Sequence, residues 1–505
     1  MTSAHAARRF GDDSRLSMVA APPVPGRTKL LIVALTVLVA GVALCVDRTR
    51  NGDLYLQLFT GRFLTEHGFV THDPFPTIEQ GRSWLNQQWL SELGFYATAR
   101  WIGITGVTTL YAGLLAAPLA IVLYCIRRKG AAMLIATAAV YIPGVLAIVH
   151  PRAAGFTLLA FCVLVCILLA AWLPHEGIAG GRLRWALVAI PLLFGLWANL
   201  HAGFIAGLLL IALITVGLTA DRWRGVPGTI ARHRVALLAL TGVLATLMVT
   251  LATPLEGAIW SYIASFRNPA LALATTEWEP ATQSTPAIGY LVIVACFAAW
   301  LWWRSPAPRR LMPLLVVGGF VLFAAYSMRN MIFVAPALAF QIACSAPDSA
   351  EPRRRVPIAA AAAAAASVIA YLTVFGPAQS DGPGYAVARY AVKHPPKHGR
   401  IAAYAGPSSY VLWRAPATPV VINGWLEHFK PKELRGNYGI LRGWHANPTP
   451  EVDRLHVGAV IAHLPGAIHA LDSHGFRVAY SDGESAYLVR EHWRSGRAPA
   501  TRSVF

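Results

Sequence analysis

"NGDLYLQLFTGRFLTEHGFVTHDPFPTIEQGRSWLNQQWL" (51–90) carries Asp53, Glu66, Asp73 and Glu79, with Glu92 just beyond it. Apolar runs flank it, one ending near Cys45 and the next beginning near Ile102. Acids and tryptophans in that setting belong to a loop at a membrane surface, not to an inserted soluble domain. Leu54, Leu58, Phe59, Phe63 and Leu64 fall toward one helical face, which predicts an amphipathic helix lying along the interface. Asp73-Pro74 then makes a turn, because proline restrains the residue before it and cannot continue a helix. A second amphipathic helix is expected from Ser83, with Trp84 and Trp89 as interfacial anchors.

The rest of the chain agrees with a membrane setting. It has 505 residues, 56% of them hydrophobic and only 13% charged, against about 25% charged in soluble proteins. The net charge of +19 comes largely from arginines clustered between apolar segments. Such arginines set topology and touch anionic lipid, so no nucleic-acid partner is expected. The six cysteines lie in or beside apolar segments without metal-binding spacing, and read as small buried hydrophobes.

Eleven spans are expected, near 30–47, 103–126, 131–149, 155–173, 185–200, 203–219, 235–252, 286–303, 311–326, 331–347 and 357–375. The first has no small-residue cleavage site and reads as an uncleaved helix after a cytoplasmic tail, 1–29. With the N-terminus inside, short inner loops hold 15 Lys and Arg against 3 in short outer loops. Counting the arginines of loop 48–102 narrows this to 15 against 8 without changing its sign. The protein is thus expected to be multi-pass in the cell membrane, with 30–376 as its transmembrane domain. An odd span count places 377–505 outside. There "PVVI", "VGAVIAHL" and "AYLVRE" alternate with pieces such as "YAVARYAVKH", a pattern for a small extracytoplasmic α/β domain.

Costly polar residues collect at the outer ends of the spans. Asp53 closely follows the first span; "VHPRAAG" supplies His150 and Arg152, "WANLHAGF" His201, "ATPLEG" Glu256, "TTEWEP" Glu277 and "SMRNMIF" Arg329. Acids, imidazoles and arginines on one side suit an anionic headgroup flanked by acid–base groups. Asp53 and Asp73 read equally as helix-cap and turn residues or as chemistry.

Loop 51–96, "HPRAAGFTLLAF", "LWANLHAGFIAGL", "TEWEP", "SMRNMIFVAP" and the tail's "YAVKHPPKHGRIAAYAGPSSYVLWRAPATPVVINGW" resemble prokaryotic multi-spanning proteins of the GT-C glycosyltransferase superfamily type. The resemblance covers about residues 30 to 495. It implies a sugar donor linked to polyprenyl phosphate and an extracytoplasmic glycan, lipid or protein acceptor. Asp53 would be the general base. Asp73, Glu256 and Glu277 would be acceptor or metal candidates, leaving a divalent cation as an option. His150, Arg152, His201 and Arg329 would meet the donor phosphate. Two positions depart from the pattern: Asn51 stands where an acid is common, and Asn423 where aspartate is usual. The tail is therefore expected to cover the cavity or recognise the acceptor without a charged catalytic group. Two other classes fit the composition: a transporter or lipid-handling protein, and a non-catalytic envelope assembly or sensing protein.

Overall fold

The computed structural model describes residues 52–146, 150–172, 180–266, 268–305, 308–349 and 384–491. The expected spans 30–47 and 357–375, the N-terminal tail and Asn51 lie outside them. Each of the other nine expected spans coincides with a helix. Seven are long and apolar enough to cross a membrane, from Ile104–Cys125 to Met328–Ser345, while Ala131–Val145 and Met312–Tyr326 are shorter. The spans bury one face in the bundle and turn residues such as Leu196, Leu247, Ile293 and Leu322 outward. Exposed apolar rows of this kind suit hydrocarbon surroundings. The protein is a multi-pass membrane protein.

The basic loops gather at one end of the bundle. Lys129 Nζ donates to the Ala346 carbonyl, Arg310 to that of Gly228, and the Trp172 indole to that of Arg234. Asp221, fully buried at this end, accepts from the backbone N–H groups of Leu311 and Met312 and so caps Met312–Tyr326. The turns carrying Arg152, His201 and Arg329 lie at the opposite end.

Loop 52–102 differs from its expected form. Helix α1 (Gly52–His67) buries Gln57, Thr60 and Gly61 as well as its apolar positions. It lies between α2 (Trp89–Ile102) and α3 (Ala405–Arg414), with protein on both faces instead of a membrane surface on one. Gly61 permits the approach to α2, since a Cβ there would stand 2.7 Å from that of Tyr96. Trp84, the expected membrane anchor, is 2% exposed and packs edge-on against Phe75 and Trp425. The second helix begins at Trp89, six residues beyond Ser83.

Residues 384–491 hold a four-stranded sheet of order β1-β2-β4-β3: Arg400–Ala402, Val457–Ala462, Ala486–Arg490 and Phe476–Ser481 in that spatial order. The first pair is parallel and the others antiparallel. Strand β2 is buried along its whole length, as its unbroken apolar run requires. Leu56, Phe59, Phe63, Phe75 and Trp84 join Ile401, Val411, Trp425 and Tyr487 in one apolar cluster. Backbone pairing ties the same regions, with Val420 N–H donating to the Pro76 carbonyl and Ile78 N–H to that of Val421. Loop and tail therefore share a core.

Candidate active site

The first turn of α1 carries Asp53. The turn before the helix Ala154–Ala171 supplies Arg152, and the turn joining Gly180–Leu200 to Phe204–Trp223 supplies His201. Glu277 and Trp278 lie on a 3₁₀ turn, Thr276–Trp278, and Arg329 on another, Met328–Phe333. These two turns are strapped together: Ser327 Oγ donates to the Glu277 carbonyl, and Met328 N–H to that of Glu279. Six residues from five segments far apart in sequence thus reach one place.

Arg152 is its centre. Its guanidinium grips Glu277 with two parallel hydrogen bonds, the Nη1–Oε2 one 2.6 Å long, and its Nη1 lies 3.6 Å from Asp53 Oδ2. The fork geometry of arginine matches such a bidentate grip. Burial works to raise the Glu277 carboxyl, but the charge and hydrogen bonds of Arg152 override it and hold that carboxyl below its usual range. Burial prevails at Asp53 and pushes its carboxyl up, against Arg152 and with the help of Glu277. Its side chain keeps 35% exposure because it faces a cavity deep in the protein. Two neighbouring acids are thereby driven apart in acidity.

His201 is held neutral. Burial, then the charges of Arg329 and Arg152, push its imidazole down to about 3. Its Nδ1 accepts from Gly203 N–H at 3.0 Å and lies 2.8 Å from Thr157 Oγ1, which itself accepts from the Trp197 indole. The proton therefore sits on Nε2, leaving a neutral donor. Arg329 lies over the Trp278 ring at 4.0 Å.

Two cavities meet at these groups. One, of about 420 Å³, has mainly apolar walls that include Ile263, Phe323, Ile332 and Phe333. The other, of about 320 Å³, is polar and is lined by Asp53, Gln57, Gln87, Tyr262, Glu277 and Glu427 among others. Arg152, His201, Trp278 and Arg329 belong to both walls.

Asp53, Arg152, His201, Glu277 and Arg329 thus converge. His150 lines neither cavity, although its charge reaches Asp53 and Glu277. Asp73 is elsewhere: buried, it accepts from Phe75 N–H at 2.9 Å and Thr77 Oγ1 at 3.0 Å, and it lies 3.3 Å from His428 Nε2. It closes the proline turn. Glu256 is exposed in a turn with φ +47° and lines neither cavity.

The tail covers one side of the polar cavity and brings a carboxylate to its wall. Asn423 makes a turn, its Oδ1 accepting from Trp425 N–H at 2.9 Å, and four residues on Glu427 enters the polar cavity. There it accepts a hydrogen bond from Tyr262, which in turn receives one from Gln87 at 3.3 Å. Behind Gln87, Glu92 is fully buried between Asn86 and Gln88, and burial raises it to about 8. The sequence offered no signal for Tyr262 or Gln57. Glu427, in the polar stretch just beyond Asn423, carries no sequence signal of its own.

Among the described residues no three His, Cys, Asp or Glu side chains are grouped as ready metal ligands, and the guanidinium of Arg152 lies against both Asp53 and Glu277.

No family model and no curated protein matches the sequence. Among solved structures, the chain is similar to ArnT from Cupriavidus metallidurans bound to undecaprenyl phosphate, at 13% identity and a TM-score of 0.54, over 92% of this chain and 98% of that one. The chain has the GT-C fold. ArnT in the apo state matches at 15% identity and a TM-score of 0.57, over 91% and 97% of the two chains. Another GT-C structure, the apo oligosaccharyltransferase of Archaeoglobus fulgidus, matches at 12% identity and a TM-score of 0.52, over 92% of this chain and 74% of that one. At 92% of this chain, the likeness takes in most of the tail as well as the bundle.

Proposed function

We propose that the protein is a glycosyltransferase that moves a sugar from a polyprenyl-phosphate donor to an acceptor hydroxyl on the outer face of the membrane. The reading rests on one observation: an apolar and a polar cavity meet at Arg152, His201 and Arg329, with Asp53 on the polar side. The apolar walls suit an isoprenoid chain, and the two guanidiniums suit its phosphate. Undecaprenyl phosphate bound to ArnT, a protein of the same fold, supports that ligand class.

The acceptor oxygen attacks the anomeric carbon while Asp53 takes its proton. The bond from that carbon to the phosphate oxygen breaks, and the phosphate leaves with the electron pair. Arg152 and Arg329 balance the growing negative charge, and His201 Nε2–H adds a neutral donor. Glu277, held by both oxygens on Arg152, is a poor nucleophile. The reaction is therefore a single displacement that inverts the anomeric centre.

The test uses purified protein in proteoliposomes with labelled undecaprenyl-phosphate monosaccharides and membrane-derived acceptors. Asp53→Asn is expected to slow release of sugar from the lipid by about 10²–10⁴-fold, the usual share of a general base, while lipid binding persists. Unchanged turnover in that variant would remove Asp53 from the mechanism.

A further inference from the structure

On the tail side, the rim of the polar cavity holds a guanidinium that no reaction step uses. Arg442, at the end of helix Pro431–Arg442, is exposed, yet it is held in place. Its Nη2 donates to the Leu273 carbonyl at 2.7 Å, across the gap between tail and bundle, and the Tyr404 hydroxyl lies within hydrogen-bond reach of it. Its guanidinium carbon stands 5.8 Å from the centre of the Tyr438 ring and 5.6 Å from that of Trp444. Tyr404, Tyr438, Ala274 and Thr275 line the polar cavity, so Arg442 marks where that wall reaches solvent. Tyr404 and Tyr438 have no part in the apolar cavity, and the rim therefore lies away from the space that suits the donor's lipid.

The surface around Arg442 is aromatic and carries no acid. The Tyr404 and His463 rings meet at a centroid distance of 4.7 Å, and Trp444 is 45% exposed. The segments that build the rim, 271–275, 402–406, 438–450 and 462–470, contain no aspartate or glutamate. Glu451, the next acid along the chain, is taken by Arg454. Among the described residues Arg442 has no carboxylate partner. An ordinary surface arginine is mobile and must be ordered before it can grip anything. Here a carbonyl and two rings fix the fork in advance, which lowers the cost of binding an anion.

The rings suit a sugar. The negative face of an aromatic ring attracts the weakly positive C–H face of a pyranose, while the sugar's hydroxyls stay in water. A peptide would instead pair with a free strand edge. The outer edge of β1 is already taken, with Ile401 N–H donating to the Pro419 carbonyl and Val421 N–H to that of Ile401, both at 2.9 Å.

We infer that Tyr404, Arg442 and Trp444 form a docking platform for an acidic saccharide acceptor, with a carboxylate or phosphate of the acceptor on Arg442 and a sugar ring on the aromatic faces. The inference rests on the glycosyltransferase reading and adds the chemical class of the acceptor.

Proteoliposomes of the full chain test it, with a labelled undecaprenyl-phosphate sugar and membrane-derived acceptors split by anion exchange into retained and unretained fractions. Sugar should pass to the retained fraction. Arg442→Gln is expected to raise the KM for that fraction about tenfold, the worth of one charge-assisted hydrogen bond, and Arg442→Lys to recover part of the loss. Trp444→Ala should raise the same KM by about 2- to 10-fold. Neither change should move affinity for the donor lipid by more than about twofold. Amidating the acceptor's carboxylates, or removing its phosphates with phosphatase, should bring wild type down to the level of Arg442→Gln, and the effective treatment identifies the acid. Indifference to both treatments, or an equal rise in KM toward retained and unretained acceptors, would overturn the platform. So would a loss of donor affinity in Arg442→Gln, which would make the arginine a strut between tail and bundle. Destruction of the acceptor by protease would overturn the saccharide class in favour of a peptide. Transfer to unretained acceptors alone would overturn the acidic class and leave the glycosyltransferase reading standing. No release of sugar from the lipid with any fraction would sink that reading itself.

Discussion

Arg152 acts on both Asp53 and Glu277, and its removal has a definite sign. Asp53 must be ionised to accept a proton, so activity is full above its folded pKa and falls tenfold per pH unit below it. Burial raises that pKa above the ordinary 3.9 or so of aspartate, so the acid limb of kcat/KM should lie above the ordinary range. Arg152 opposes the rise. Arg152→Gln should therefore move the acid limb to higher pH, beyond any loss of rate from weaker phosphate binding. A limb that stays in place would mean another group is titrating. His201, depressed to about 3, should contribute no inflection near pH 6.5, and His201→Gln should leave the shape of the profile intact. Arg152 already places a positive charge against Asp53 and Glu277, so prolonged chelator treatment followed by desalting is expected to leave turnover within about twofold of untreated enzyme. Asp73→Asn should behave oppositely to Asp53→Asn. It removes buried turn partners and should cost about 1–3 kcal/mol of stability, read as a lowered melting temperature with little change in kcat.

Elements explain what the sequence could and could not disclose. The spans were legible because an apolar run of sufficient length has few alternatives. Asp53, Arg152, His201, Glu277 and Arg329 were legible because charge or imidazole at a span end is costly and therefore conspicuous. Helix Gly52–His67 differs from its expected form because its apolar residues meet protein instead of lipid: Leu56, Phe59 and Phe63 pack with Val411 and Trp425, some 350 positions away, while Leu54 and Leu58 enter the bundle core and Gly61 lies against Trp89–Ile102. Gln57 and Gln87 carry no such signal: an uncharged amide in a polar loop has no cost until another part of the chain buries it. The close approach of this helix to Trp89–Ile102 gives a test at the same scale. Gly61→Val would drive methyl groups into Tyr96 and the Glu92 backbone, at an overpacking cost of about 1–3 kcal/mol. The expected result is a lower melting temperature with a raised KM, since the shift propagates one turn to Gln57 and two to Asp53. A variant as stable and active as wild type would show that the helix pair can slide without consequence.

At the scale of the whole molecule, the expected boundary at 377 separates parts that share one core. Leu56, Phe59, Phe63, Phe75 and Trp84 enter the cluster that also holds Ile401, Val411 and Trp425, and the edge segment 420–421 hydrogen-bonds to the loop at Pro76 and Ile78. A tail cut away from the loop would expose that apolar face and lose those backbone partners. Residues 384–491 expressed alone are therefore expected to give a collapsed, poorly dispersed amide NMR spectrum and rapid proteolysis. Fusing residues 52–88 to them through a flexible linker should restore dispersion and protection, because it returns the missing wall of the core. Good dispersion from 384–491 alone would show instead that the tail folds independently and merely docks. The polar cavity would then be an interface able to open as the tail moves, whereas a shared core makes its walls one rigid body through which Asp53 and Trp425 keep a fixed separation during catalysis.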